Sequence, residues 1–249
     1  MRRRVTAVRN DVPYLPKKRI EEEANLVLAE WGQAHGEITA PPVPIDDIVE
    51  LHLQLSLQFE DMSQLFPFGD VLGALWIQEQ RVGISQTLDP TDHPQKVGRY
   101  HFTLAHEGGH WRLHRQYYME NPYQGALFGD GPKPAAVCRS SEAKKPAEWQ
   151  ADCFAACLLM PRKMVRTAWE GWRGGLDVVG ADQLRTAADP QLLAQFAGQG
   201  EATPAEIDHR LMEEFCRPLA TAFRVSREAM RIRLEELELL VRERPNMLF

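Results

Sequence analysis

The string His106-Glu107-Gly108-Gly109-His110 constrains this 249-residue chain more than any other feature. It lies within a stretch, residues 95 to 115, whose pattern is helical, and this composition would produce an H-E-x-x-H string about 0.02 times by chance. On a helix, positions four apart differ by about 40° around the axis and about 6 Å along it, so both imidazoles leave the same side. Nitrogens placed that way can reach one ion at about 2.0–2.1 Å. The fold must therefore keep a helix here and bring a further donor to its face. The paired glycines point the same way. Each costs a helix interior roughly 0.5–1 kcal/mol relative to alanine, which suggests that something approaches the backbone closely. A kinked or frayed helix is the competing reading.

Two histidines make half of a tetrahedral site, and a catalytic zinc takes a third protein ligand while leaving the fourth position to water. Glu148 is the candidate. It lies in Glu148-Trp149-Gln150-Ala151-Asp152, on a second helix expected from Pro146 to Met160 and stopped by Pro161. Asp152, four residues on, shares its face. One carboxylate can then bind the ion while the other accepts the free N–H of a ligating histidine and fixes its tautomer. The evenly spaced His114 is the rival ligand, but about 12 Å of continuous helix separates it from His106. That leaves it an outer support of the site or a surface histidine.

With one zinc on His106, His110 and Glu148, bound water is acidified to a pKa near ~7. Glu107 can take its proton as it attacks a peptide carbonyl and return it to the leaving amine. Tyr100, His101, Tyr117, Tyr118 and Arg139 are the nearby candidates to stabilise an oxyanion, and the sequence does not choose among them. Thiolate ligation by Cys138, Cys153 and Cys157 is the weaker reading, since small thiols among helix alanines are commonly packing residues.

Around these motifs the chain reads as α+β. Pro16 opens a helix with Ile20, Ala24, Val27, Leu28 and Trp31 on one face, ending near Gly32 and Gly36. Asp46 is a candidate cap for a short helix through Ile48 and Val49. Leu53, Leu55, Leu57 and Phe59 alternate as in a strand buried on one face. Val71 to Ile77 and Arg81 to Ser85 follow as two strands joined by Gln78-Glu79-Gln80, and the expectation is a small antiparallel sheet. Residues 117–147 read as a long site-flanking loop. A helix is expected over Lys163 to Trp172, then a linker with a short helix near Leu192.

Thr203-Pro204-Ala205-Glu206 is a capping box opening a helix with an apolar stripe of Ile207, Leu211, Phe215, Leu219 and Phe223. Ser226 caps a last helix carrying Met230, Leu234, Leu237 and Val241. The expected division is a metal-site domain over 1–172, a linker over 173–202 and a helical segment over 203–249 that resembles a helix-turn-helix.

The balance of 29 Lys+Arg against 35 Asp+Glu, a formal charge of -6, argues against general nucleic-acid binding. In the last helix and its end, Arg227, Arg231, Arg233, Arg242 and Arg244 are offset by Glu228, Glu235, Glu236, Glu238 and Glu243. Packing or partner binding is therefore favoured over groove reading, with Arg227 and Arg231 the residues that would matter for DNA. No apolar run suits a membrane span. Met1-Arg2-Arg3-Arg4 is followed by no apolar export segment, and with four cysteines lacking a Cys-x-x-Cys pair the expectation is a cytoplasmic chain with reduced thiols.

The stretch from Phe102 to Trp111, FTLAHEGGHW, followed by Glu148 to Pro161, EWQADCFAACLLMP, resembles the ImmA/IrrE family of metallopeptidases. Its members pair an FTLAHE-x-GH helix with an E-x-x-A-N/D-x-FA-x-x-LLMP helix. The similarity covers residues 15 to 172, with an echo from Leu219 to Leu240. It implies a zincin-like metallopeptidase fold with an active-site helix. It also implies His106, His110 and Glu148 as zinc ligands and Glu107 as catalytic base. Its implied substrate is a protein, a helix-turn-helix repressor. The long 117–147 region is a departure that removes no ligand. The alternatives are a regulatory protein- or DNA-binding module with a structural or vestigial metal site, and a metal-dependent hydrolase of small molecules.

Overall fold

The computed structural model describes residues 12–66, 70–120, 136–139, 146–198 and 202–242. These form two compact units, one comprising Val43–Leu159 with the N-terminal segment through Ile38, the other Met160 onward with Thr39–Pro42.

In the first unit α1 (Lys17–His35) buries Ile20, Ala24, Val27 and Trp31, the expected stripe, and ends at Gly36, whose φ of 95° favours glycine. Its acidic residues have a structural use. Arg112 donates to Glu30 at 3.0 and 3.1 Å and to Glu23 at 3.1 Å, holding α1 to the helix that carries the histidines. A short α2 (Ile45–Asp47) runs into a wide turn over Ile48–His52. Asp46 is not its cap, because α2 follows Pro44 with no side-chain cap and the Asp46 carboxylate accepts from the Tyr100 hydroxyl instead.

The sheet corrects the antiparallel expectation. Its strands β1 (Ser56–Glu60), β2 (Val71–Trp76), β3 (Arg81–Ser85) and β4 (Ala136–Arg139) lie in the order β1-β3-β2-β4. The β2/β3 hairpin is antiparallel, with Trp76 opposite Arg81, and β4 joins β2 antiparallel, but β1 pairs β3 in parallel. The chain leaves β1 through α3 (Met62–Leu65) before returning as β2 on the far side of β3, which fixes that direction. The leucine alternation starts ahead of the strand: Leu53 and Leu55 are buried before β1 begins, whereas Phe59 within it is 37% exposed. As an edge strand, β1 has less to bury.

A 24-residue helix, α4 (Val97–Glu120), packs on β2 and β3 and against α5 (Pro146–Leu159), and α1 packs on α5 as well. The region expected as a loop over 117–147 contains the last turn of α4, strand β4 and the start of α5. Residues 121–135 and 140–145 lie outside the described residues.

The second unit is mostly helical. It contains α6 (Arg162–Arg173), α7 (Ala181–Ala187), α8 (Pro190–Ala197), α9 (Pro204–Phe215), α10 (Arg217–Phe223) and α11 (Arg227–Glu236). A parallel two-stranded pairing joins β5 (Val179–Gly180) to β6 (Leu240–Val241). Residues expected as linker thus hold a strand and two helices. The Thr203 capping box and the Ser226 cap form as read. The single apolar-striped helix expected after Thr203 is instead two, divided at Cys216 just before Pro218, which has no N–H to continue the ladder. Val241 leaves the last helix to join β6. Among the described residues no helix is long and apolar enough to cross a membrane.

Candidate metal centre

The helix α4 runs unbroken through Gly108-Gly109, so it does not fray at the glycines. The two glycines differ in what they meet. A Cβ on Gly109 would stand 3.2 Å from Ala151 Cα, 3.3 Å from its carbonyl oxygen and 3.1 Å from Phe154 Cδ1, so α5 crosses at the glycine's surface. A Cβ on Gly108 would meet only Leu53 at 3.4 Å and Val49 at 3.8 Å, ordinary contacts. The close crossing at Gly109 brings Glu148, on the first turn of α5, against the histidines of α4.

His106, His110 and Glu148 each offer a ligand atom, and these atoms lie within 4.8 Å of one another. The Nε2 atoms of the two histidines are 3.0 Å apart. Glu148 Oε2 lies 3.2 Å from His106 Nε2, and Oε1 lies 3.5 Å from His110 Nε2. All three residues are buried. Burial pushes the Glu148 carboxyl up, but hydrogen bonds from His106 and His110 outweigh it and hold the group well below the usual carboxylate range. Burial lowers His110, favouring a neutral imidazole, the form that binds metals. Asp152, half-exposed on the same face of α5, accepts from His106 Nδ1–H at 2.8 Å. With Nδ1 engaged there, His106 turns Nε2 toward Glu148 and His110, where it can donate to the carboxylate or give its lone pair to an ion.

Glu107 is fully buried, and neither carboxylate oxygen has a hydrogen-bond partner among the described residues. Burial pushes its pKa up to about 8, opposed by His106 and reinforced by the Glu148 charge. Its space is made by a residue that the sequence reading missed. A Cβ at Gly73 on β2 would fall 2.7 Å from Glu107 Oε1 and 2.8 Å from Thr103 Cγ2. A glycine inside a strand pattern is the signal that could have found it, since such a position often marks a close approach.

His114 is not a surface residue: it is 1% exposed, with Nδ1 3.1 Å from His110 Nδ1 and Nε2 3.1 Å from Gln150 Oε1. Burial pushes it down to about 4. Gln150 in turn donates to the Pro13 carbonyl at 3.0 Å. Neither Gln150 nor Pro13 was a candidate, and helical periodicity points to neither. Of the oxyanion candidates, Tyr100 and His101 face Asp46, and Tyr117 is exposed. The Tyr118 hydroxyl stands 3.4 Å from His110 Nδ1, behind the ligand face. Arg139 lies in β4, and its side chain is outside the described residues. Among the described residues no cysteine joins the metal-capable group.

In the second unit, Arg227 pairs with Glu214 at 2.6 Å, and Arg231 is buried beside Glu213 at 3.5 Å and Glu235 at 2.9 Å. Arg244 lies outside the described residues.

Residues 80–188 match the family model described as the IrrE N-terminal-like domain, Peptidase M78. No curated protein matches the chain.

Proposed function

We propose, from the premise that this chain carries an IrrE N-terminal-like domain of the Peptidase M78 family, that it is a zinc-dependent endopeptidase with a narrow protein substrate, a helix-turn-helix repressor. The observation that carries the reading is the convergence of His106, His110 and Glu148 next to a buried, unpartnered Glu107. The donor set of two imidazoles and one carboxylate suits zinc and leaves a position for water. A cation held there favours the ionised form of Glu107, offsetting the burial that otherwise keeps it protonated at neutral pH.

Zinc, when bound, acidifies water to near ~7 and polarises the peptide carbonyl. The chain's own residues do the rest. A carboxylate oxygen of Glu107 accepts the proton of the attacking water and delivers it to the departing amine nitrogen. Asp152 keeps the His106 ring turned toward the ion. The repressor substrate rests on the sequence resemblance alone. The ion pairs of Arg227 and Arg231 count against the DNA-binding alternative, since phosphate contacts need free cations.

The test compares zinc-loaded wild type with Glu107→Gln and Glu148→Ala. New protein N-termini should accumulate in cells expressing wild type and be absent with Glu107→Gln, which should retain about one zinc per chain, while Glu148→Ala should lose most of it. Cutting that persists in Glu107→Gln, or undiminished zinc in Glu148→Ala, would sink the reading.

A further inference from the structure

We infer that His114, Gln150 and the Pro13 carbonyl form a one-way hydrogen-bond relay that fixes the tautomer of His110 and so aims its Nε2 lone pair into the metal centre. The inference rests on His110 being a ligand, as proposed above; its polarity follows from the hydrogen-bond partners together with the burial of His114, which disfavours its charged form.

The direction is set at the far end. A prolyl carbonyl can only accept, so the Gln150 amide must turn its NH2 toward Pro13, and Nε2 lies 3.0 Å from that oxygen. The Gln150 Oε1 is then the atom that faces His114 Nε2 at 3.1 Å, and as an acceptor it requires the proton on that nitrogen. A neutral His114 protonated at Nε2 has a bare Nδ1. Standing 3.1 Å from His110 Nδ1, that nitrogen can only accept, so His110 carries its proton on Nδ1. The Nε2 of His110, 3.0 Å from His106 Nε2 and 3.5 Å from Glu148, is then the nitrogen left to serve an ion, which would displace any proton shared there with Glu148. Reversing any link sets two acceptors or two donors against each other in a buried site, which costs about 1–3 kcal/mol or more.

The two ligand histidines are thus oriented by different means. His106 is held by a half-exposed carboxylate on the same helix as Glu148. His110 is held by neutral groups, all 1% exposed or less at His114 and Gln150, ending at an acceptor 137 residues from Gln150 in sequence. His114 and Gln150 are positioning residues, acting on the ion only through His110. The Tyr118 hydroxyl, at 3.4 Å from His110 Nδ1, is a longer alternative acceptor.

Two measurements test the relay. The first uses wild type without metal: long-range 15N–1H correlation of the histidine rings should find His114 protonated on Nε2 alone and a proton on His110 Nδ1. A proton on His114 Nδ1 would overturn the relay whether or not zinc binds. The second is zinc affinity by chelator competition, with the fold of each variant checked by its melting curve. His114→Leu and Gln150→Leu should weaken zinc about 10–100-fold, the usual effect of losing an outer partner. His114→Asn, whose amide oxygen can replace the Nδ1 acceptor, should recover most of the loss. Wild-type affinity in both leucine variants would overturn the relay. Wild type that binds no zinc would instead overturn the proposed ligand set, leaving the ring measurement to judge the relay by itself.

Discussion

Gly73 on β2 and Glu107 on α4 face each other so closely that a methyl group on the glycine would stand 2.7 Å from the carboxylate oxygen. The strand gives up a side chain so that the helix can bury a carboxyl group. Gly73→Ala must displace Glu107 or Thr103, both packed within the unit, and is expected to destabilise the protein by about 1–3 kcal/mol. Zinc content should survive, because no ligand candidate touches Gly73 in the same way. Chemical denaturation together with metal analysis checks this, and an unchanged unfolding midpoint would remove the steric argument.

The paired glycines of α4 are expected to respond with opposite signs. Gly108→Ala meets only ordinary contacts and should stabilise by about 0.5–1 kcal/mol through helix propensity. Gly109→Ala pushes on the Ala151 backbone at 3.2 Å, which no rotamer change relieves. It should destabilise by about 1–3 kcal/mol and weaken zinc binding, since α5 carries Glu148. Equal melting shifts in the two variants would contradict this account of the crossing.

Glu107 supplies a pH dependence. In metal-free protein its pKa, about 8, lies above the ordinary carboxylate value of 4.5, so between those values the folded chain binds more protons than the unfolded one. Its contribution therefore lowers stability as pH rises through that window. Glu107→Gln removes the charge but not the shape. Its stability relative to wild type should grow across the window by at most ~1.4 kcal/mol per pH unit and level off above it. Denaturant titrations of both chelated proteins measure the difference, and a flat one would mean that burial does not govern this carboxyl.

Asp152→Ala removes the acceptor that holds His106 Nδ1 at 2.8 Å. Zinc affinity should fall about 10–100-fold by chelator competition. Asp152→Asn keeps an acceptor oxygen and should lose less. Affinity equal to wild type in the alanine variant would leave the orientation of His106 to other groups.

What the sequence disclosed was whatever helical periodicity carries. Residues four apart on one helix give His106 with His110 and Glu148 with Asp152, so the grouping of side chains could be read before the fold was known. The relations that cross between elements could not. Gly73 meets Glu107 because β2 underlies α4, and β1 turns parallel because it lies outside β3, facts of topology with no local signature. His114 was discounted by a correct distance argument against ligation that said nothing of a hydrogen bond at the ring's other nitrogen. The break at Cys216 was legible in Pro218, and the apolar stripe obscured it.

The contact between Pro13 and Gln150 bears on how the protein can be cut down. The family match begins at residue 80, after α1, β1 and β2 have passed. A fragment excised at that boundary would leave α4 without the strand beneath Glu107, α5 without its α1 partner, and Gln150 with an unpaired amide. The family match delimits a stretch of similar sequence, whereas the contacts that support this cluster reach back to Pro13.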